Sequence, residues 1–334
     1  MKNVLIYFAV IFIVVTAFQQ VHKHTFVAPY NWPKPVFDFK KQPLIPAQIL
    51  LGRVLFYDPL LSRNNTISCA SCHSQYTAFT HVDHALSHGI DDRIGTRNSP
   101  ALMNLAWSTS FMWDGSMSSL QQQVFSPITH PQEMDENLLR LTGKLQRSSL
   151  YSKLFYNAFQ DSAITAQRIA IALEQFMLTL VSAQSKYDLV MNKKEAFTPQ
   201  EQKGYLLFRK NCASCHTEPL FTNHRFEQNR LTPDTLLNDS GRIKVTHRRE
   251  DVFKFKVPTL RNIEFSYPYM HDGRFATLSE VLNHYSVSFQ SATGPISITS
   301  KDKVDLMAFL LTLTDRKFLF DTNHAFPRHI LLTP

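Results

Sequence analysis

The chain has 334 residues, 44% of them apolar and 19% charged, which is enough for two ordinary domains and too apolar for a disordered chain. Only nine glycines argue against a glycine-rich nucleotide-binding fold. The formal charge of +8 taken alone admits any acidic partner, nucleic acid included.

Taken in chain order, Lys2 precedes an apolar run over residues 4–18, short for a membrane-spanning helix. With the small-residue site Val15-Thr16-Ala17 it reads as a secretory signal peptide over 1–17, an uncleaved membrane anchor being the alternative. Either way the body lies outside the cytoplasm, and a periplasmic location is expected. Residues 18–42 read as an extension. The body divides into an N-terminal domain, 43–195, and a C-terminal domain, 196–334.

Cys69-Ala70-Ser71-Cys72-His73 recurs as Cys212-Ala213-Ser214-Cys215-His216, and the chain has no other cysteine. C-x-x-C-H is the attachment signature of c-type haem, in which two thiols bond the porphyrin and the histidine ligates the iron. A zinc site or two disulfides would leave the duplicated histidine unexplained. Two covalently bound c-type haems are therefore expected. Their propionates bring roughly four negative charges at neutral pH, so the loaded protein is only mildly basic. Nucleic acid is not an expected partner; an acidic electron-transfer protein is one option.

The repetition extends outward. Gly52-Arg53-Val54-Leu55-Phe56 echoes Gly204-Tyr205-Leu206-Leu207-Phe208. Pro100-Ala101-Leu102-Met103-Asn104 matches Pro258-Thr259-Leu260-Arg261-Asn262, and Phe111-Met112-Trp113-Asp114-Gly115 matches Tyr269-Met270-His271-Asp272-Gly273. The expected fold is mainly α, with two tandem cytochrome c-like haem domains related by internal duplication. Thr198-Pro199-Gln200-Glu201 predicts a capped helix running into Cys212, and Ser119-Leu120-Gln121-Gln122 and Thr277-Leu278-Ser279-Glu280 predict two more capping boxes. Ile169, Ala172, Leu173, Phe176 and Leu180 share one face of a predicted core helix over 165–183, joining the two halves. Residues 221–255, with Lys244, Arg248, Arg249 and Lys254, read as a solvated loop, a contact with haem propionates or with a partner being the alternative.

The copies differ where chemistry would require it, Trp113 standing where the second copy has His271. The Leu51–Pro59 stretch, both haem motifs, Arg97-Asn98-Ser99-Pro100, Trp113-Asp114-Gly115, Pro131-Gln132-Glu133-Met134, the stretch from Phe255 to Asn262 and Pro268-Tyr269-Met270-His271-Asp272-Gly273 together resemble the bacterial di-haem cytochrome c peroxidase family, which includes MauG-like members. The resemblance implies reduction of hydrogen peroxide at the N-terminal haem, with electrons from a small cytochrome c or cupredoxin entering at the C-terminal haem. It implies His73 and His216 as proximal ligands, Glu133 as distal carboxylate, Gln123 as distal amide and Trp113 as the tryptophan between the haems. Calcium held by Asn98, Ser266 and Pro268, and a homodimer, are further implied options. Where family peroxidases carry a distal methionine this chain has Tyr285, as MauG-like members do, with His284 and Met270 as nearby alternatives. His84 and His88 lie after the first haem motif without an assigned role. A MauG-like oxidase and a non-enzymatic electron carrier are the alternative functions.

Overall fold

The computed structural model describes residues 25–332 except 289, 292–293 and 296–297. The expected signal peptide or anchor therefore lies outside the described residues; among them, no helix is long and apolar enough to cross a membrane. The structure is mainly helical. The helices are α1 (Pro46–Tyr57), α2 (Cys69–Cys72), α3 (Leu120–Thr129), α4 (Leu138–Gln146), α5 (Ser149–Phe159), α6 (Ala166–Leu178), α7 (Lys186–Met191), α8 (Pro199–Asn211), α9 (Ile243–Thr246), α10 (Leu278–Ser288), α11 (Ser300–Leu311), α12 (Arg316–Leu319) and α13 (Arg328–Leu331). Antiparallel β1 (Phe226–Gln228) and β2 (Lys254–Lys256) pair Phe226 with Lys256.

Apolar side chains collect into two clusters. The first is built on α1, α3, α5 and α6, the second on α8, α11 and the segments around Phe221 and Ile263. Each has one close helix crossing at a glycine. A Cβ on Gly52 would lie 1.8 Å from the Ala172 carbonyl oxygen and 2.9 Å from Phe176 Cβ. On Gly204 it would lie 1.9 Å from the Asp305 oxygen and 2.8 Å from Phe309 Cβ. Any side chain would force the helices apart, which is why glycine sits in both matched pentapeptides. Helix α6 starts at the expected Thr165 cap, whose hydroxyl accepts from Arg168 N. It is the core helix of the first cluster, packed on α1, and Ser182 and Ala183 just beyond it bond to Asp315.

The matched asparagines have a common task. Asn104 and Asn262 both take left-handed backbone, φ 56° and 55°. Asn104 N donates to Leu180 O (2.8 Å) and its Oδ1 accepts from Ser182 N (2.9 Å). Asn262 N donates to Leu313 O (3.1 Å) and its Oδ1 accepts from Asp315 N (2.7 Å). Each asparagine thus secures the chain leaving α6 or α11. They meet at Ser182, whose hydroxyl accepts from Asn262 Nδ2 (3.0 Å) while its carbonyl accepts from Asn104 Nδ2 (3.1 Å).

Two expected capping boxes form in full, at α8 and between Thr277 and Glu280. The third forms by half: Ser119 caps Gln122 N, but Gln122 Oε1 turns to the Ser118 hydroxyl (2.8 Å).

Candidate active site: two haem-attachment centres

Both pentapeptides occupy the ends of short helical turns. Cys69 and Cys72 lie on α2, closed at its start by reciprocal Ser68 and Ser71 contacts, and α8 delivers Cys212 at its C-terminus. All four cysteines are free thiols, so neither pair is spent on a disulfide. Burial raises the thiol pKa values, Cys69 and Cys212 to about 12 and Cys72 to about 11.

The histidines are held alike. His73 Nδ1 donates to Phe79 O (2.8 Å), and His216 Nδ1 lies 3.1 Å from both Phe221 O and Pro258 O. A carbonyl only accepts, so Nδ1 carries the proton and Nε2 keeps its lone pair for a metal. Burial lowers both histidine pKa values to about 4, which keeps them neutral. The next residue locks each loop: Thr80 Oγ1 donates to Ser99 O (2.5 Å) and Thr222 Oγ1 to Val257 O (2.6 Å). Sequence reasoning missed this Phe-Thr pair, although it follows each motif within six or seven residues.

An exchange across the molecule joins the centres. Asn98 N donates to His271 O and Lys256 N donates to Trp113 O, both at 2.7 Å. Trp113 Nε1 also donates to Asn98 O (2.8 Å), so the indole is fixed on the segment that precedes Pro100. It lines a cavity of about 270 Å³ together with Cys212, Cys215 and His216. His271 stacks on Phe255 at 3.7 Å, its Nδ1 buried without a hydrogen-bond partner.

Glu133 is half-buried. Its backbone is anchored by Ile90 N (2.7 Å) and crowded by Gly89, where a Cβ would lie 2.5 Å from Glu133 Cα. Burial raises its pKa, opposed by His130, whose Nδ1 is 3.9 Å away. The carboxylate is near enough to Cys72 to push that thiol up, second to burial, which places it by the first motif. Gln123 lies on α3 with its amide 4.0 Å from Met112 Sδ, beside Trp113.

The second centre is enclosed differently. Tyr285 and Met270 line its cavity. Burial raises the Tyr285 pKa and the Cys212 and Cys215 sulfurs add to the rise, so the phenol faces the attachment cysteines. His284 is turned aside, its Nε2 2.7 Å from Asn229 O, while Met270 Sδ accepts from Asn229 Nδ2 at 3.6 Å. Asn98, Ser266 and Pro268 line the same cavity, and Asn98 Nδ2 donates to Ala85 O (3.0 Å). His84 stacks on His88 at 3.9 Å, and His88 Nδ1 is 2.8 Å from Asp92.

The segment expected to be a solvated loop keeps Lys244, Arg248 and Arg249 exposed, but its Asp239 and Arg242 clasp it to the turn that carries Asp114. Arg97 pairs with Asp239 through two bonds (2.6 and 2.9 Å) and with Asp114 (2.8 Å), and Arg242 Nη1 donates to Asp114 O (3.0 Å). Its charged residues had suggested solvent, yet Lys244 and Lys254 pair within the segment, with Asp239 and Asp251.

Comparison with known proteins decides the family. The profile described as di-haem cytochrome c peroxidase matches residues 46–196. Methylamine utilization protein MauG of Methylorubrum extorquens is 35% identical, over 87% of this chain and 84% of its own. The chain belongs to the di-haem cytochrome c peroxidase family. Cytochrome c551 peroxidase of Nitrosomonas europaea is 34% identical over 79% of each chain. A solved MauG-like protein associated with microbial copper homeostasis superposes with a TM-score of 0.81 at 28% identity, over 91% of this chain and 99% of its own. As in the family, the cofactors are two c-type haems, and each pair of free thiols beside a neutral histidine with Nε2 unengaged by the carbonyls suits one.

Proposed function

We propose that the protein reduces hydrogen peroxide to water at the centre anchored by His73, using electrons from a small cytochrome or cupredoxin that enter at the centre anchored by His216. The observation that carries this reading is the asymmetry: a half-buried carboxylate, Glu133, attends the first motif, whereas the phenol of Tyr285 faces the cysteines of the second. Bound haem supplies redox-active iron at each centre. Glu133 takes the proton from one peroxide oxygen and returns it to the other as that oxygen departs as water. Gln123 orients the peroxide through its amide. Two protons and two electrons per peroxide give two waters. The indole of Trp113, held on Asn98 O, relays electrons between the centres.

Two tandem domains, 43–195 and 196–334, descended from one duplicated haem domain account for this layout. The paired glycine crossings, the Asn104 and Asn262 contacts and the two Phe-Thr locks support that descent. Calcium on Asn98 Oδ1 and the carbonyls of Ser266 and Pro268, completed by waters, suits the oxygen donors that line the cavity. A periplasmic location follows from the apolar N-terminal run and from haem attachment after export.

A second reading, a MauG-like oxidase acting on another protein or a small molecule, is favoured by Tyr285. Mixing the holoprotein with peroxide and a reduced small redox protein separates the two. Repeated oxidation of the donor supports the peroxidase. A long-lived oxidised spectrum that decays only when another substrate is added supports the oxidase.

A further inference from the structure

Two side chains that line the joining cavity have fewer polar partners than their burial calls for. Lys256, on β2, lines the cavity and donates from Nζ to Ser110 O (2.8 Å). Among the described residues no carboxylate pairs with it, because nearby Asp114 is engaged by Arg97 and by Ser116 N. His224, close enough to feel the Lys256 charge, lines the same cavity with Nε2 buried and unpartnered. A buried ammonium without a counter-charge beside a buried, unpartnered ring nitrogen is costly and rare, so together they mark a place for an acceptor.

Position fixes which acceptor. Lys256 stands two residues before Pro258, whose carbonyl meets His216 Nδ1 at 3.1 Å. Asn223, adjacent to His224, donates from N to Cys215 O (2.9 Å) and from Nδ2 to Ser214 O (3.2 Å). Both donors therefore border the second attachment motif. We propose that Lys256 and His224 grip a propionate carboxylate of the C-terminal haem and thereby set that haem's potential.

The assignment rests on the two-haem reading. Burial lowers the Lys256 pKa to about 8, opposed by Asp114, and a carboxylate seated there would hold the ammonium charged. A fixed cation at the propionate favours the electron-rich haem. Because Lys256 N also holds Trp113 O, the tuning residue touches the relay turn as well.

The test is spectroelectrochemical titration of the holoprotein with resonance Raman detection of the propionate bending band. In Lys256→Gln the C-terminal haem should become about tenfold harder to reduce at a given potential, about 59 mV for a one-electron couple, and its propionate band should move. Lys256→Arg should restore both. Lys254→Gln, whose ammonium pairs with Asp251 at 3.3 Å, should change neither. Should Lys256→Gln not fold, His224→Leu gives the Raman readout. An unmoved band in the folded variant overturns the proposal. A chain whose mass shows one haem contradicts the two-haem reading and this assignment with it.

Discussion

Glu133 and Tyr285 are both drawn out of water, and burial pushes each pKa upward with opposite consequences. For the carboxylate the rise is opposed by His130, leaving the group above the ordinary glutamate range. A base must be ionised to take a proton, so peroxide turnover should fall as pH drops through that raised value. The acid limb of the rate profile should lie above the usual carboxylate range and be absent from Glu133→Gln. For Tyr285 the rise keeps the phenol neutral, so only a metal would draw off its proton. Tyr285→Phe should change the ferric spectrum of the C-terminal haem and leave the other haem unchanged; an unchanged spectrum removes Tyr285 as ligand. At this scale the sequence was legible where chemistry is contiguous. Cys69 to His73 and Cys212 to His216 declare themselves in five residues. The carbonyls of Phe79 and Phe221 do not, because a backbone acceptor leaves no side-chain signature.

The elements show why some motifs repeat. Gly52 and Gly204 permit crossings that leave no room for a methyl group, and Asn104 and Asn262 secure the turns after α6 and α11. Gly204→Ala should cost roughly 1–3 kcal/mol or more, the range for overpacking, and lower the unfolding temperature of the holoprotein measurably. An unchanged melting temperature would contradict the crossing at Asp305. The helices and caps were readable because periodicity and capping chemistry are local. The clasped segment was not. Its charges imply solvent when read alone, and only the fold brings Asp239 to Arg97, 142 residues away. Burial opposes ionisation of Asp239, but the Arg97 guanidinium, with help from Gly241 N and Lys244, holds it at about 2. The clasp is thus complete at neutral pH and loosens only as pH falls through that value.

At the scale of the whole molecule, the two attachment centres are linked through Asn98, His271, Lys256 and Trp113, and differ in what surrounds each of them. On the proposed function, the repeated motifs hold two cofactors and the divergence around them gives the two separate work. The correspondence of Trp113 with His271 was legible in the sequence. The exchange of backbone bonds beneath it was not, since it depends on how the two halves meet. The most direct measurement is steady-state peroxide turnover by the Glu133→Gln holoprotein with a reduced cytochrome as donor, while both haem spectra are followed. The account predicts a fall of about 10²–10⁴-fold, the usual worth of a positioned acid–base group, with both spectra nearly intact. Near-normal turnover, or peroxide altering the C-terminal haem first, would contradict it.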